Sequence, residues 1–291
     1  MLDVFLDAVI DSLKILPFLF ITYLLMEYLE SRAEERARSA VRKAGWLGPL
    51  WGSFLGIVPQ CGFSAAAANL YAGRAISIGT LFAIFLSTSD EMLPILISST
   101  VPAGTILRIV AAKVLIALLF GFLIDGVCHL LKIRGTGQAG DGEAFAIEQL
   151  CEKEHCHCEN GSIVRSALKH TLNIFLFVFA VTVALNLAFY LIGEERLIAA
   201  VTSRPVLGLF AAALIGLIPN CGASVLLTQM YLRNVLGAGQ LIAGLLVGAG
   251  VGLLVLFRVN PHRKENAVIT AVLYASGVAG GALVGLLGLV F

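Results

Sequence analysis

Apolar residues run along this chain in long blocks that leave no polar face. Blocks of bilayer-crossing length, about 20 residues, stand at about 4–29, 46–72, 75–98 and 103–131. A polar stretch from about 132 to 164 follows, then four more blocks at about 165–192, 205–232, 236–257 and 266–291. Helices apolar on every side belong in lipid or in a large core. Two blocks carry breakers at their centres, Val58-Pro59-Gln60-Cys61-Gly62 and Ile218-Pro219-Asn220-Cys221-Gly222. Neither Pro nor Gly suits a helix interior, so the backbone is expected to break there. Trp46 to Val58 makes about 20 Å of helix, enough to pass the middle of a ~30 Å hydrocarbon core and no further. The pattern therefore predicts two re-entrant hairpins, 46–72 and 205–232, among six full crossings, with four half-helices in the hairpins.

Four blocks, a loop and four blocks suggest duplication. With a shift of 160 residues and no gaps, 55–95 and 215–255 share 11 identities in 41 positions. They include Gly56, Pro59, Cys61, Gly62, Ser64, Tyr71 and Gly79, residues that hydrophobicity alone would not align. The expected units are a first membrane repeat (1–132), a Cys/His-rich loop (133–164) and a second repeat (165–291).

Composition sharpens the class. Hydrophobic residues make up 58% and charged ones 13% of the chain, against roughly 25% charged in an ordinary soluble domain. With a mean hydropathy of +0.92, this excludes a soluble enzyme, a disordered chain and a secreted disulfide scaffold. The net charge of +1 excludes a broadly basic nucleic-acid binder. Asp3, Asp7 and Asp11 precede the first apolar block, and the positive charges Arg32, Arg36, Arg38, Arg42 and Lys43 come after it. A cleaved signal peptide has the reverse order, and no lipidation motif is visible. If all eight blocks cross, the Lys and Arg outside the spans divide ten inside and seven outside. With the hairpins re-entrant they divide fourteen and three, so the positive-inside rule prefers hairpins. Each half then has three crossings and the halves are inverted. Both termini lie outside, and the thiol-rich loop lies in the reducing cytoplasm of a prokaryotic inner-membrane protein.

Three constellations could carry chemistry. The hairpin tips offer Gln60, Cys61 and Ser64 with Asn220, Cys221 and Ser224, and Asn69 and Gln229 further along. Matching breaks in two repeats point to a solute site at the midplane; the plainer reading is a Pro-Gly kink with Cys as a small filler. Asp90 and Glu91, in Ser87-Thr-Ser-Asp-Glu91, are carboxylates inside an apolar block, expensive there and functional by default. They could ligate a hard cation or couple to protons, or simply pair with Arg108 and Lys113. Cys151, His155, Cys156, His157 and Cys158, with Cys128 and His129 at the preceding helix end, have the ligand chemistry of Zn or another transition metal. Their spacing suits a loose capture or sensing loop better than one rigid tetrahedral site; a solvated linker or a structural zinc clip are the alternatives. No cofactor is required by any motif, and no Walker A sequence is present. Gly277, Gly281 and Gly285 form a close-packing face, either a helix contact or a homodimer seam.

On these residues the chain resembles a known family. Gly56-Ile-Val-Pro-Gln-Cys-Gly-Phe-Ser-Ala-Ala66 through Ser87-Thr-Ser-Asp-Glu-Met-Leu-Pro94, with Ile218-Pro-Asn-Cys-Gly-Ala-Ser224 and Leu256-Phe-Arg-Val-Asn260, is similar to the ten-segment heavy-metal exporters. Members of that family are described as manganese transporters or arsenic efflux permeases. The resemblance implies a permease for a metal or metalloid, not an enzyme. Paired thiols favour a soft thiophile such as trivalent arsenic, and Asp90 with Glu91 favours a hard ion such as manganese. A proton-coupled permease for an organic or organometallic solute, a metal sensor and a membrane enzyme with a Cys61 nucleophile remain as other classes. The last lacks an obvious membrane-depth base.

Overall fold

A computed structural model of the chain describes residues 47–58, 61–89, 92–131, 205–289 and 291, and scattered single positions between 9 and 24 and between 168 and 187. The described segments are helical. The first series is α1 (Gly48–Leu55), α2 (Cys61–Ala72), α3 (Ile78–Ser87), α4 (Met92–Ser98) and α5 (Ala103–Leu130). The second is α6 (Pro205–Gly216), α7 (Cys221–Leu232), α8 (Ala238–Val247), α9 (Val251–Val259) and α10 (Arg263–Leu286). Among the described residues four stretches are long and apolar enough to cross a membrane: Ile78–Ser98, Ala103–Leu130, Ala238–Val259 and Arg263–Leu286.

The helices interrupt where the Pro-Gly reasoning placed breaks. α1 stops at Leu55 and α2 starts at Cys61; α6 stops at Gly216 and α7 starts at Cys221. Two further interruptions divide blocks that apolarity alone presents as continuous. α3 ends at Ser87 and α4 begins at Met92, and α8 ends at Val247 and α9 begins at Val251. The first has a covalent cause in Pro94. Its ring has no N–H to donate and collides with the carbonyl four residues back, so it sits in the first turn of a new helix. The second depends on Gly250, whose φ of 53° and ψ of −141° lie where side chains rarely go.

Close glycine contacts fix the helix directions. A Cβ on Gly48 would meet Thr80, one on Gly52 would meet Ile84 and Thr80, and one on Gly56 would meet Ser87 and Ile84 O. α1 therefore runs alongside α3 in the same direction. α2 ends five residues before α3 starts, so the segment 48–72 begins and ends at the same end of α3. α5 returns antiparallel to α3: Gly79 abuts the Gly121 carbonyl and the Asp125 carboxyl, and Lys113 reaches Thr88.

The same contacts recur 160 residues later. Gly216 lies on the Gly244 backbone, Gly239 on the Gly281 carbonyl and Gly285, and Gly281 on Ala243, just as Gly121 lies on Ala83. The turns after α2 and α7 also match. Arg74 and Asn234 have φ of 58° and 57°. The Ala75 N–H donates to Leu70 O as the Val235 N–H donates to Met230 O, closing both helices with a left-handed residue. Gly277 and Gly281 pack on α8 within the chain. Gly277 and Gly281 thus make an intramolecular helix contact, while Gly285 is exposed.

Across the two series, α2 packs along α9 and α7 packs on α4. Most of the buried apolar side chains belong to one cluster that runs through both series. α2 and α7 thus each pack on part of the broken helix of the other series, while α1 and α6 pack on that of their own.

Candidate functional site

The four interruptions lie together. The first tip rests on the end of α3, through Gly56 against Ser87. Three residues into α2, Ser64 is pressed against Gly252, where an added Cβ would overlap the Ser64 backbone and Cβ. Gly252 is the second residue of α9. The first tip therefore stands between the α3–α4 break of its own series and the α8–α9 break of the other. The second tip stands in the corresponding place, with Gly216 on Gly244 and α7 beside α4.

Polar groups at the α3–α4 break are satisfied locally. The Ser87 hydroxyl donates to Ala83 O at 2.7 Å, the Thr88 hydroxyl to Ile84 O at 2.7 Å and the Ser89 hydroxyl to Ser87 O at 3.1 Å. Ser87, Thr88 and Ser89 are all buried. Such back-bonding loosens a helix where it already ends. The Lys113 ammonium is wholly buried and donates to the Thr88 carbonyl. Lys113 is ten residues into the 28-residue α5, about 15 Å along its axis, and so stands well below either end. A cation there faces the carbonyl end of α3, the negative pole of the half-helix. Of the two cations the sequence offered as partners for the carboxylates, Lys113 stands at the break. Asp90 and Glu91 themselves lie outside the described residues, as does Gln60. Arg108 is exposed.

Asn220 has a defined local role. Its Oδ1 accepts the Gly222 N–H at 2.8 Å, making it the N-cap of α7. Cys61 and Cys221 are the first residues of α2 and α7. Ser64 and Asn69 are fully buried, and the Asn69 amide donates to Ala65 O at 3.1 Å. Ser224 is half-buried and Gln229 exposed. The Thr228 hydroxyl, one turn on, donates to Ser224 O at 2.7 Å.

Of the expected loop ligands, Cys151, His155, Cys156, His157 and Cys158 lie outside the described residues. Cys128 is half-buried and His129 exposed near the end of α5. Among the described residues, no three His, Cys, Asp or Glu side chains stand close enough together to hold a metal.

Two carboxylates escaped the sequence reading. Asp125 accepts the Ser77 hydroxyl at 2.7 Å and the Gly79 N–H at 2.8 Å, and so anchors the start of α3 to α5. Its signal was a lone acid within an apolar block, opposite a Ser that begins a helix. Glu265 lies in a turn that otherwise reads as topology-setting charge. It accepts from the Tyr71 hydroxyl and pairs with Arg74 at 3.2 Å, bonds between residues more than 190 positions apart that no local pattern reveals.

Taken together, the site offers breaks that expose backbone groups, small and hydroxylated residues around them, two cysteine positions and a buried ammonium. Such a set has the chemistry to bind and orient a small solute. No curated protein and no solved structure matches the chain. Residues 1–192 match the family described as "Putative, 10TM heavy-metal exporter". That match spans well over half of the sequence and includes the first tip and the α3–α4 break, and the chain accordingly belongs to this ten-transmembrane-segment heavy-metal exporter family.

Proposed function

We propose that the protein is a secondary permease that exports a heavy metal or metalloid across the cytoplasmic membrane, through a midplane site at the four helix breaks. The observation that carries this reading is the arrangement of the tips, each held between the broken helix of its own half and that of the other. Discontinuous helices meeting at a repeat interface are how carriers build a solute site that opens to either side.

The halves are read as inverted repeats with re-entrant hairpins. α1 and α3 start at one end, and α2 finishes there. Arg74, after α2, reaches Glu265 at the start of α10, so α10 starts at the end where α3 starts. α8 starts where α10 finishes, through Gly239 on Gly281 and Gly285. Equivalent helices α3 and α8 then point in opposite directions, as the fourteen-to-three division of positive charge requires.

In this reading Cys61 and Cys221 supply thiolates to a soft substrate, and Gln60, Ser64, Asn69, Asn220, Ser224 and Gln229 line or support the route. Asp90 and Glu91 supply coupling charge against Lys113. The Cys/His loop collects metal on the cytoplasmic side. Export is ion-gradient driven.

The test is flux in sealed vesicles across a panel of metals and metalloids, with and without a proton gradient. Cys61→Ser with Cys221→Ser abolishes transport of a thiophilic substrate, and Asp90→Asn abolishes its dependence on the gradient. Undiminished flux in the double-serine chain would remove the thiol site from consideration.

A further inference from the structure

We infer that Glu265 is a gating residue, which closes one end of the route by tying the first half of the chain to the second. The inference rests on the transporter reading above and deepens it.

The geometry is a latch. Glu265 Oε1 accepts from the Tyr71 hydroxyl and from Arg74 Nη1 at 3.2 Å, and Oε2 accepts from Arg74 Nη2 at 3.4 Å. The guanidinium also lies over the Tyr71 ring, 5.7 Å from its centroid. The Arg74 and Glu265 side chains are only 27% and 22% exposed. A forked, partly desolvated pair of this kind is stronger than a surface ion pair. Each partner is held. Asn260 and Asn266 bond to each other in the turn before α10, at 2.7 and 3.1 Å, and this fixes the base from which Glu265 projects. Arg74 occupies a left-handed turn position, φ 58°, that glycine would fill at less steric cost. What arginine adds there is its guanidinium.

Position gives the latch its role. α2 lies along α9 from the Ser64–Gly252 contact to this point. The latch therefore closes the outer end of the seam whose inner end is the first tip. At the equivalent place on the opposite end, 160 residues on, Tyr231 donates to the Phe291 carbonyl. Asn234 stands in place of Arg74, and Thr105 corresponds to Glu265. Among the described residues, the two ends are thus closed unequally, one by an ion pair between the two series and the other without one. A carrier that opens its ends in turn needs contacts that differ between its two states. Here the contact that breaks is the one centred on Glu265.

The test uses the full chain in sealed vesicles, with Cys61 kept and the other five cysteines replaced by serine. A membrane-impermeant thiol reagent is applied from the Arg74 side. Glu265→Gln and Arg74→Gln each label about tenfold faster than the parent, the change expected for loss of one charged contact of roughly 1.4 kcal/mol. The exchanged pair Arg74→Glu with Glu265→Arg returns the rate towards the parent's. Arg263→Gln, which removes a neighbouring exposed charge outside the latch, leaves it unchanged. Equal rates in all variants would overturn the inference. So would failure of the glutamine variants to remain monodisperse in detergent, because that would make the contact a requirement of folding. Labelling is read without substrate, so the two readings fail separately. Labelling shifts in the single-cysteine chain with no metal flux in the unaltered chain would refute the permease, and metal flux in the unaltered chain with unresponsive labelling would refute the gate alone.

Discussion

At the scale of the residue, a helix-capping role and a solute-binding role can be separated, and Asn220 is the sharpest case. Its amide oxygen caps α7, so its place in Pro219-Asn-Cys-Gly222 has a local explanation that needs no ligand. Removing the cap in Asn220→Ala costs about 1 kcal/mol, read as a lower midpoint of thermal unfolding in detergent. Asn220→Ser restores most of that stability. If transport fails in the serine chain while stability is kept, the amide also contacts the solute. Lys113 presents the opposite case, since a buried ammonium is expensive and the nearest helix end offers it the Thr88 carbonyl. Lys113→Met leaves the Thr88 carbonyl without its charged donor and costs about 1–3 kcal/mol, in the same thermal assay. The sequence reveals Lys113 because it interrupts an apolar block. It conceals Glu265, whose charged neighbours Arg263 and Lys264 make it look like one more solvated residue of a loop.

At the scale of elements, local chemistry decides which interruptions can be anticipated. Pro59 with Gly62 and Pro219 with Gly222 mark their breaks by covalent structure alone, and α2 and α7 begin within those motifs. The α3–α4 break is harder to read. Ser87, Thr88, Asp90 and Glu91 attract attention as chemistry, and the evidence of a helix end, Pro94, lies beyond them. The α8–α9 break depends on a positive φ at Gly250, a value that no run of glycines discloses in advance. Glycine contacts make the elements separately testable. A Cβ at Gly216 would meet the Gly244 backbone, which cannot move aside as a flexible side chain could. Gly216→Ala therefore destabilises by about 1–3 kcal/mol. Gly126→Ala, in the open face of α5 with nothing within 4 Å, is neutral or gains up to about 1 kcal/mol of helix propensity. Parallel unfolding curves of the two variants check the contrast.

For the whole molecule, the 160-residue recurrence was legible because Pro, Cys and Gly repeat at that spacing, and the contacts of Gly121 on Ala83 and Gly281 on Ala243 follow it. What could not be read is how the halves interleave, since nothing in either segment states that α2 will lie on α9. The orientation reading makes a direct prediction about sidedness. Cysteines introduced one at a time at Gly73 and Pro261 react with an impermeant reagent from one face of the membrane, and those at Thr100 and Asn234 from the other. All four reacting from one face would overturn the inverted arrangement.

The interleaving of α2 with α9 and of α7 with α4 bears on how such a chain could have arisen. A limb whose packing partner belongs to the other half has nothing to cover it in a polypeptide of half the length. On the inverted arrangement proposed above, a gene for one repeat would meet that need by pairing two copies inserted in opposite senses. Its product would have entered the membrane both ways, with little bias in loop charge. On that arrangement, fusion of two copies would free each to fix its own direction. It would also free equivalent positions to differ, as Glu265 and Thr105 do.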